Sequence, residues 1–167
     1  MSDAGASPSR AVTLNRCGTA AQHVKLPLHK YLTEGGERRV SVNPDGKAAH
    51  TVFRLLARWP EMSLLEAQLK TGRTHQIRVH LAHLGFPILG DEKYGEFALN
   101  KSLKRDGLKR MALHAWRMAF RHPLTAAPLE CIAPLPGGIG NYIAAVDAEK
   151  TREFTADNLE QILGKAL

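Results

Sequence analysis

Lys70 to Gly95 reads KTGRTHQIRVHLAHLGFPILGDEKYG, and the fold turns on how this stretch is read. Just before it, apolar Leu65, Ala67 and Leu69 alternate with polar Glu66, Gln68 and Lys70, the period-2 pattern of a half-buried strand. Thr71-Gly72-Arg73 ends that pattern. Thr74 is then placed to cap a helix running to Leu84, with Gly85 at the position after its end and Pro87 beyond. Ile77, Leu81 and Leu84 recur at i, i+4 and i+7 and form the apolar stripe. A strand thus delivers a glycine loop into a helix start that holds Arg73, His75, Gln76 and Arg78. Gly72 allows a close backbone approach there. Arg78 lies at the edge of the stripe, so its guanidinium is expected partly inside the domain, where it needs a carboxylate or a phosphate. One helical arginine is ordinarily a solvated residue. Five such residues converging on one strand-to-helix junction point to a site.

Working outward, Gly35-Gly36 reads as a turn and Arg38 to Val42 as a short strand. Asn43-Pro44-Asp45-Gly46 is a second turn, with φ pre-set at Pro44 and Gly46 free to take positive φ. Thr51 to Trp59 is a strand ended by Pro60. Downstream, Asn100 to Arg110 is a basic segment, helical or looped. Leu113 to Phe120 and Leu129 to Ala133 are two strands joined by HPLTAAP. A closing amphipathic helix is expected with Asp157 as N-cap and Leu159, Ile162 and Leu163 as its buried face. Residues 1–24, rich in Ala, Ser and Gly, are expected to be disordered, leaving 25–167 as the folded domain. The pattern is α+β: a mixed or antiparallel sheet with flanking helices. Gly137 to Gly140 follows a proline-rich turn and lacks the strand–loop–helix setting of a dinucleotide loop.

Composition narrows the partners. The 167 residues are 44% hydrophobic and 23% charged, with a formal net charge of +7. Such a surplus favours polyanions, because each neutralised phosphate releases counterions, but it does not choose among RNA, DNA and acidic membrane. Cys17 and Cys131 form no C-x-x-C pair and suit a reducing compartment. The N-terminus lacks the apolar core of a secretory signal, and no apolar run nears the roughly 20 residues that span a bilayer. A soluble cytoplasmic protein is expected. His75, His80, His83 and His114 include one i, i+3 pair, yet neither H-E-x-x-H nor cysteine ligands accompany them, so no metal is expected.

Three blocks stand in a fixed order: TGRTHQIRVH (Thr71 to His80), GFPILGDEKYG (Gly85 to Gly95), and LHA (Leu113 to Ala115) followed by His122-Pro123. Together they resemble the C-terminal signature of ribosomal large-subunit pseudouridine synthases. The preceding LPLHKYLTEGGERRVSVNPDGKAAHTVF resembles the synthase C branch, and the likeness runs from about Leu26 to Pro136. It implies a cofactor-free isomerisation of uridine in large-subunit ribosomal RNA. A catalytic aspartate attacks a flipped-out uridine; the base detaches, rotates and is rejoined through carbon. Carried onto this chain, it makes Arg78 the partner that keeps the catalytic aspartate ionised and oriented. Leu113 would pack against the target base. Arg73, His75 and Gln76 would support the loop or contact RNA, and Asp91 and Tyr94 would fix the turn after the helix.

The family's catalytic H-R-L-D block and its active-site tyrosine block are absent. Asp3, Asp45, Asp91, Asp106, Asp147 and Asp157 all stand in other settings. The chain is therefore expected to be the C-terminal half of the catalytic domain and inactive by itself. Removing one member of a buried ion pair costs about 3–5 kcal/mol, so Arg78 is expected to be exposed, hydrated or anion-bound. An opened sheet should favour association, with a second copy or with the missing N-terminal half. The competing reading is a non-catalytic RNA-binding remnant, supported by Lys101, Lys104, Arg105, Lys109, Arg110, Arg117 and Arg121. A solvated basic face accounts for that run equally well.

Overall fold

The computed structural model describes residues 8–14 and 17–157. Its strands are β1 (Pro8–Leu14), β2 (Ala21–Lys25), β3 (Leu28–Leu32), β4 (Arg38–Val42), β5 (His50–Arg58), β6 (Met62–Leu69), β7 (Leu113–Ala115), β8 (Arg117–Arg121), β9 (Pro128–Ile132) and β10 (Phe154–Thr155). Helices α1 (Gln76–His83), α2 (Phe97–Arg105) and α3 (Gly137–Glu149) complete it. The expected α+β class is found, and every strand pairing among the described residues is antiparallel.

The main sheet runs β10-β5-β6-β1-β7, and β2 shares the outer edge of β5 with β10. β5 and β6 form its centre, with a bulge at Leu56 between the Leu55 and Ala57 pairings. From Met62 to Leu65 the β6 side chains are all buried, so the half-buried pattern holds only from Glu66 onward. Leu56, Trp59, Leu64 and Leu65 form the core with Leu81 of α1, Ile88, Leu108, and Ile139 and Ile143 of α3.

The expectation of disorder over residues 1–24 fails from Pro8 onward. β1 lies inside the sheet, paired to β6 along its whole length and to β7 on its other edge. Its buried side chains are small: Ser9, Ala11 and Thr13. They fill a narrow space between strands without the large apolar residues that announce a strand. Residues 1–7 lie outside the described part, and so does the expected closing helix beyond Asp157. The segment Leu113 to Phe120 breaks at Trp116 into β7 of the main sheet and β8 of a separate hairpin with β9. On that hairpin Met118 faces Cys131 and Phe120 faces Leu129, which puts four apolar side chains on one exposed face.

α1 is wedged between two apolar surfaces. Ile77 and Leu81 reach the main core, whereas Val79 joins Leu28, Val40 and Ala49 under the β3–β4 hairpin. Its start differs from expectation. His75, with φ 55°, is the N-cap and Thr74 is not, and no side chain caps the first turn. Its end is as expected: Gly85 has φ 82°. The Gly85 amide donates to the Ala82 carbonyl and the Phe86 amide to that of Leu81, a Schellman close. Gly46 does not adopt positive φ. A Cβ there would meet the Leu28 backbone at 2.5 Å, so close packing of the turn on β3 is what requires glycine. No described helix is long and apolar enough to cross a membrane.

Candidate functional site

The glycine loop before α1 is held by one buried amide. Gln76, 2% exposed, accepts from the Thr71 hydroxyl at 2.8 Å and from the Arg73 backbone N–H at 2.9 Å. It donates to the His50 carbonyl and to Thr51 Oγ1. All four hydrogen-bonding positions are used inside the protein. Gln76 therefore has nothing left for RNA, and the expected RNA contact is corrected to a structural role.

From Thr51 the chain of bonds continues inward. Thr51 Oγ1 lies 3.0 Å from His80 Nδ1, and His80 Nε2 lies 2.9 Å from the Leu26 carbonyl. The carbonyl can only accept, so Nε2 carries a proton; in the neutral imidazole that burial favours, Nδ1 accepts from the threonine hydroxyl. Burial is the main cause that lowers the His80 pKa below its ordinary 6.5. Burial likewise lowers His50 and His75, with neighbouring cations adding to it. The unfolded chain then binds protons that the folded one refuses. The stability these groups contribute is present above the unfolded pKa and is lost as pH falls through the lowered folded values. Urea midpoints are expected to drop as pH falls below about 6.5, with a shallower drop in His80→Gln. Equal slopes in the two proteins would contradict this assignment.

Arg78 finds its carboxylate within the chain. Its Nε and Nη2 donate to Asp91 Oδ2 and Oδ1, each at 2.8 Å, a bidentate pair. The Arg78 side chain is 16% exposed and that of Asp91 is 1% exposed. The expectation of an exposed Arg78 left without a carboxylate is thereby corrected: Asp91 of the same chain supplies one. Burial alone would raise the Asp91 carboxyl. The Arg78 guanidinium and the Tyr94 and Lys93 amides outweigh it and hold the group below its usual range. Asp91 also fixes the turn after the helix, because the Lys93 and Tyr94 amides donate to its Oδ1.

Tyr94 joins this pair to its surroundings. Its ring lies 4.9 Å from the Arg78 guanidinium carbon, a cation–π contact. Its hydroxyl accepts from the Val40 amide of β4 at 3.1 Å and lies 3.0 Å from His75 Nδ1. One residue of the loop after α1 thus ties the left-handed His75, Arg78 and the β3–β4 hairpin together.

The remaining expected site residues divide. Lys104, Lys109 and Arg110 share with Arg78 an open cavity of about 520 Å³. Lys104 is already paired with Glu92 there, and Lys93 with Glu37. Lys101 and Arg105 are exposed on α2 outside that cavity. Arg73 and His75 line hollows beside the β3–β4 hairpin instead. Arg117 is paired with Glu130 across β8–β9, and Arg121 donates to the Ala126 carbonyl. Leu113, half-buried against the main core, is not among the cavity's lining residues, though Arg110 Nη2 donates to its carbonyl at 3.3 Å. Sequence reasoning missed Asp91 as the partner of Arg78, although both lie in the decisive stretch.

Residues 12–83 match the family model described as RNA pseudouridylate synthase. Ribosomal large subunit pseudouridine synthase C of Haemophilus ducreyi is 42% identical over 127 residues, covering 76% of this chain and 40% of that protein. The chain belongs to the pseudouridine synthase family. Synthase D of Xylella fastidiosa is 44% identical over 125 residues, covering 70% of this chain and 37% of its own length. Human RNA pseudouridylate synthase domain containing 1 superposes with a TM-score of 0.73 over 96% of this chain and 65% of that one, at 23% identity, a likeness of fold. The chain spans about 40% of the length of the curated synthases it matches. The family match begins at Val12, within β1, in keeping with that strand's place in the domain.

Proposed function

We propose that this chain is the C-terminal part of a synthase that isomerises uridine to pseudouridine in large-subunit ribosomal RNA, and that Arg78 is the group it brings to the nucleophilic aspartate. The observation that carries this reading is the geometry of the guanidinium. Asp91 takes Nε and Nη2, two of five N–H donors, and Arg78 also borders the cavity. A second carboxylate, brought by the N-terminal half, would take the remaining edge and be kept ionised and oriented. Asp91 holds the guanidinium through Nε and Nη2. It is not itself the nucleophile, since both its oxygens are bonded and its side chain is 1% exposed. Leu113, two residues from the Met111 wall of the cavity, is assigned the packing against the target base. The reaction breaks one glycosidic bond and forms another within one nucleotide, so it needs no external oxidant or reductant. The exposed apolar face of β8–β9 supports association of the chain, with a second copy or with the other half of the domain.

The test is an assay for pseudouridine on unmodified ribosomal RNA. The chain alone is expected to give no product, and adding the N-terminal part of a related synthase C is expected to restore it. Product from the chain alone would overturn the division of the site. RNA binding with no product in either arm would favour the second reading, a non-catalytic remnant, for which exposed Lys101, Arg105 and Lys109 speak.

A further inference from the structure

The β3–β4 hairpin stands apart from the main sheet, and two hollows of about 410 and 530 Å³ lie along it. They share Lys30, Val40 and Thr74 as walls, so they adjoin as two parts of a groove along the hairpin and the loop before α1. Lys47 and Arg73 flank one end, and Arg38 and Arg39 the other. Asp45 is the one acidic residue among the lining side chains. Arg39 is paired with Glu37, and Arg73 donates to the Ala48 carbonyl. Among the described residues no carboxylate pairs with Lys30, Arg38 or Lys47. Tyr31 stands at the same groove, 41% exposed. Unneutralised cations beside an accessible aromatic ring are the combination that binds single-stranded nucleic acid, with phosphates on the cations and a base on the ring.

We infer that the groove between β3–β4 and the loop at residues 72–75 binds single-stranded RNA, with a base stacked on Tyr31 and phosphates on Lys30, Arg38 and Lys47. This rests on the reading of the chain as an RNA-directed domain, and it assigns that contact to a surface other than α2. The test measures anisotropy of a labelled uridine-rich oligoribonucleotide against salt. Wild type is expected to bind with a log K slope near −0.7 for each phosphate contact. In Lys30→Glu/Arg38→Glu the affinity should fall at least tenfold and the slope should flatten by about 1.4. Tyr31→Ala should weaken binding about tenfold at an unchanged slope, and Tyr31→Phe should keep it. Independently of any variant, photo-crosslinking to 4-thiouridine RNA should place the adduct on the tryptic peptide 31–38. Wild-type binding that is lost only in Lys101→Glu/Arg105→Glu, with adducts confined to α2, would overturn this inference and leave the RNA reading standing. Absence of salt-dependent binding by wild type would overturn both.

Discussion

Asp91→Asn is expected to destabilise the fold by about 3–5 kcal/mol, the cost of stranding a desolvated charge. For a domain of this size that lowers the melting temperature by about 10 °C. The substitution is nearly isosteric, which makes the result specific. One oxygen can still accept from the Lys93 and Tyr94 amides, but the new NH₂ would confront Arg78 Nε, donor against donor. The double variant Arg78→Met/Asp91→Leu removes both charges and should recover a large part of the loss, giving a favourable coupling energy. A cost under about 1 kcal/mol for Asp91→Asn would mean that Arg78 is held by something else. The pH dependence has a defined sign. A carboxyl lowered from its ordinary 3.8 contributes stability above that value and loses it as pH falls through the folded pKa. Wild type should therefore shed this increment only in acid, and Asp91→Asn should lack that acid-sensitive step.

Gly90→Ala is the second large effect. Gly90 has φ 76°, and an added Cβ would lie 2.6 Å from the Arg110 carbonyl oxygen. Left-handed backbone costs a non-glycine residue about 1–2 kcal/mol. Forcing the 110–111 backbone away adds the cost of overpacking, about 1–3 kcal/mol. Gly85→Ala provides the matched control. It has φ 82°, with nothing within 4 Å of its Cβ position, so it bears the strain without the collision. Denaturant unfolding should show Gly90→Ala less stable than Gly85→Ala by about 1–3 kcal/mol. Equal losses would mean that the Arg110 loop yields freely. Since Arg110 and Met111 wall the Arg78 cavity, Gly90→Ala should also lower any activity recovered with the N-terminal half.

The residues that made the fold legible were those whose pattern is local. Leu65, Ala67 and Leu69 announced β6, and Gly85 announced the end of α1, because each signal lies within a few residues of its effect. β1 was illegible for the opposite reason. Ser9, Ala11 and Thr13 are buried by strands more than 40 residues away, and small side chains carry little hydrophobic signal. α3 hides behind Gly137, Gly138 and Gly140, which argue against helix. Tertiary anchoring overrides them: Ile139 and Ile143 are buried, and Trp59 Nε1 donates to Asp147 at 2.8 Å. At the site, the chemistry of Arg78 was readable and its partner was not. The family pattern pointed to an aspartate beyond this chain, while a turn placed Asp91 beside the guanidinium, 13 residues on. The Thr74 cap failed because Gln76, a residue inside the helix, holds the Thr71 and Arg73 groups of the loop.

The position of β1 sets the order in which the molecule can assemble. Within this chain its two neighbours, β6 and β7, follow it by roughly 50 and 100 residues. Neither of these pairings can form before its partner strand, Met62–Leu69 or Leu113–Ala115, has been made. Such long loop closures slow the search for the native pairing and leave strand edges open to other chains meanwhile. The β1–β6 pair should therefore form before the β1–β7 pair, so the segment from Phe97 to Met111, with its basic α2, is fixed at the Arg78 cavity only after the β1–β6 pair is in place.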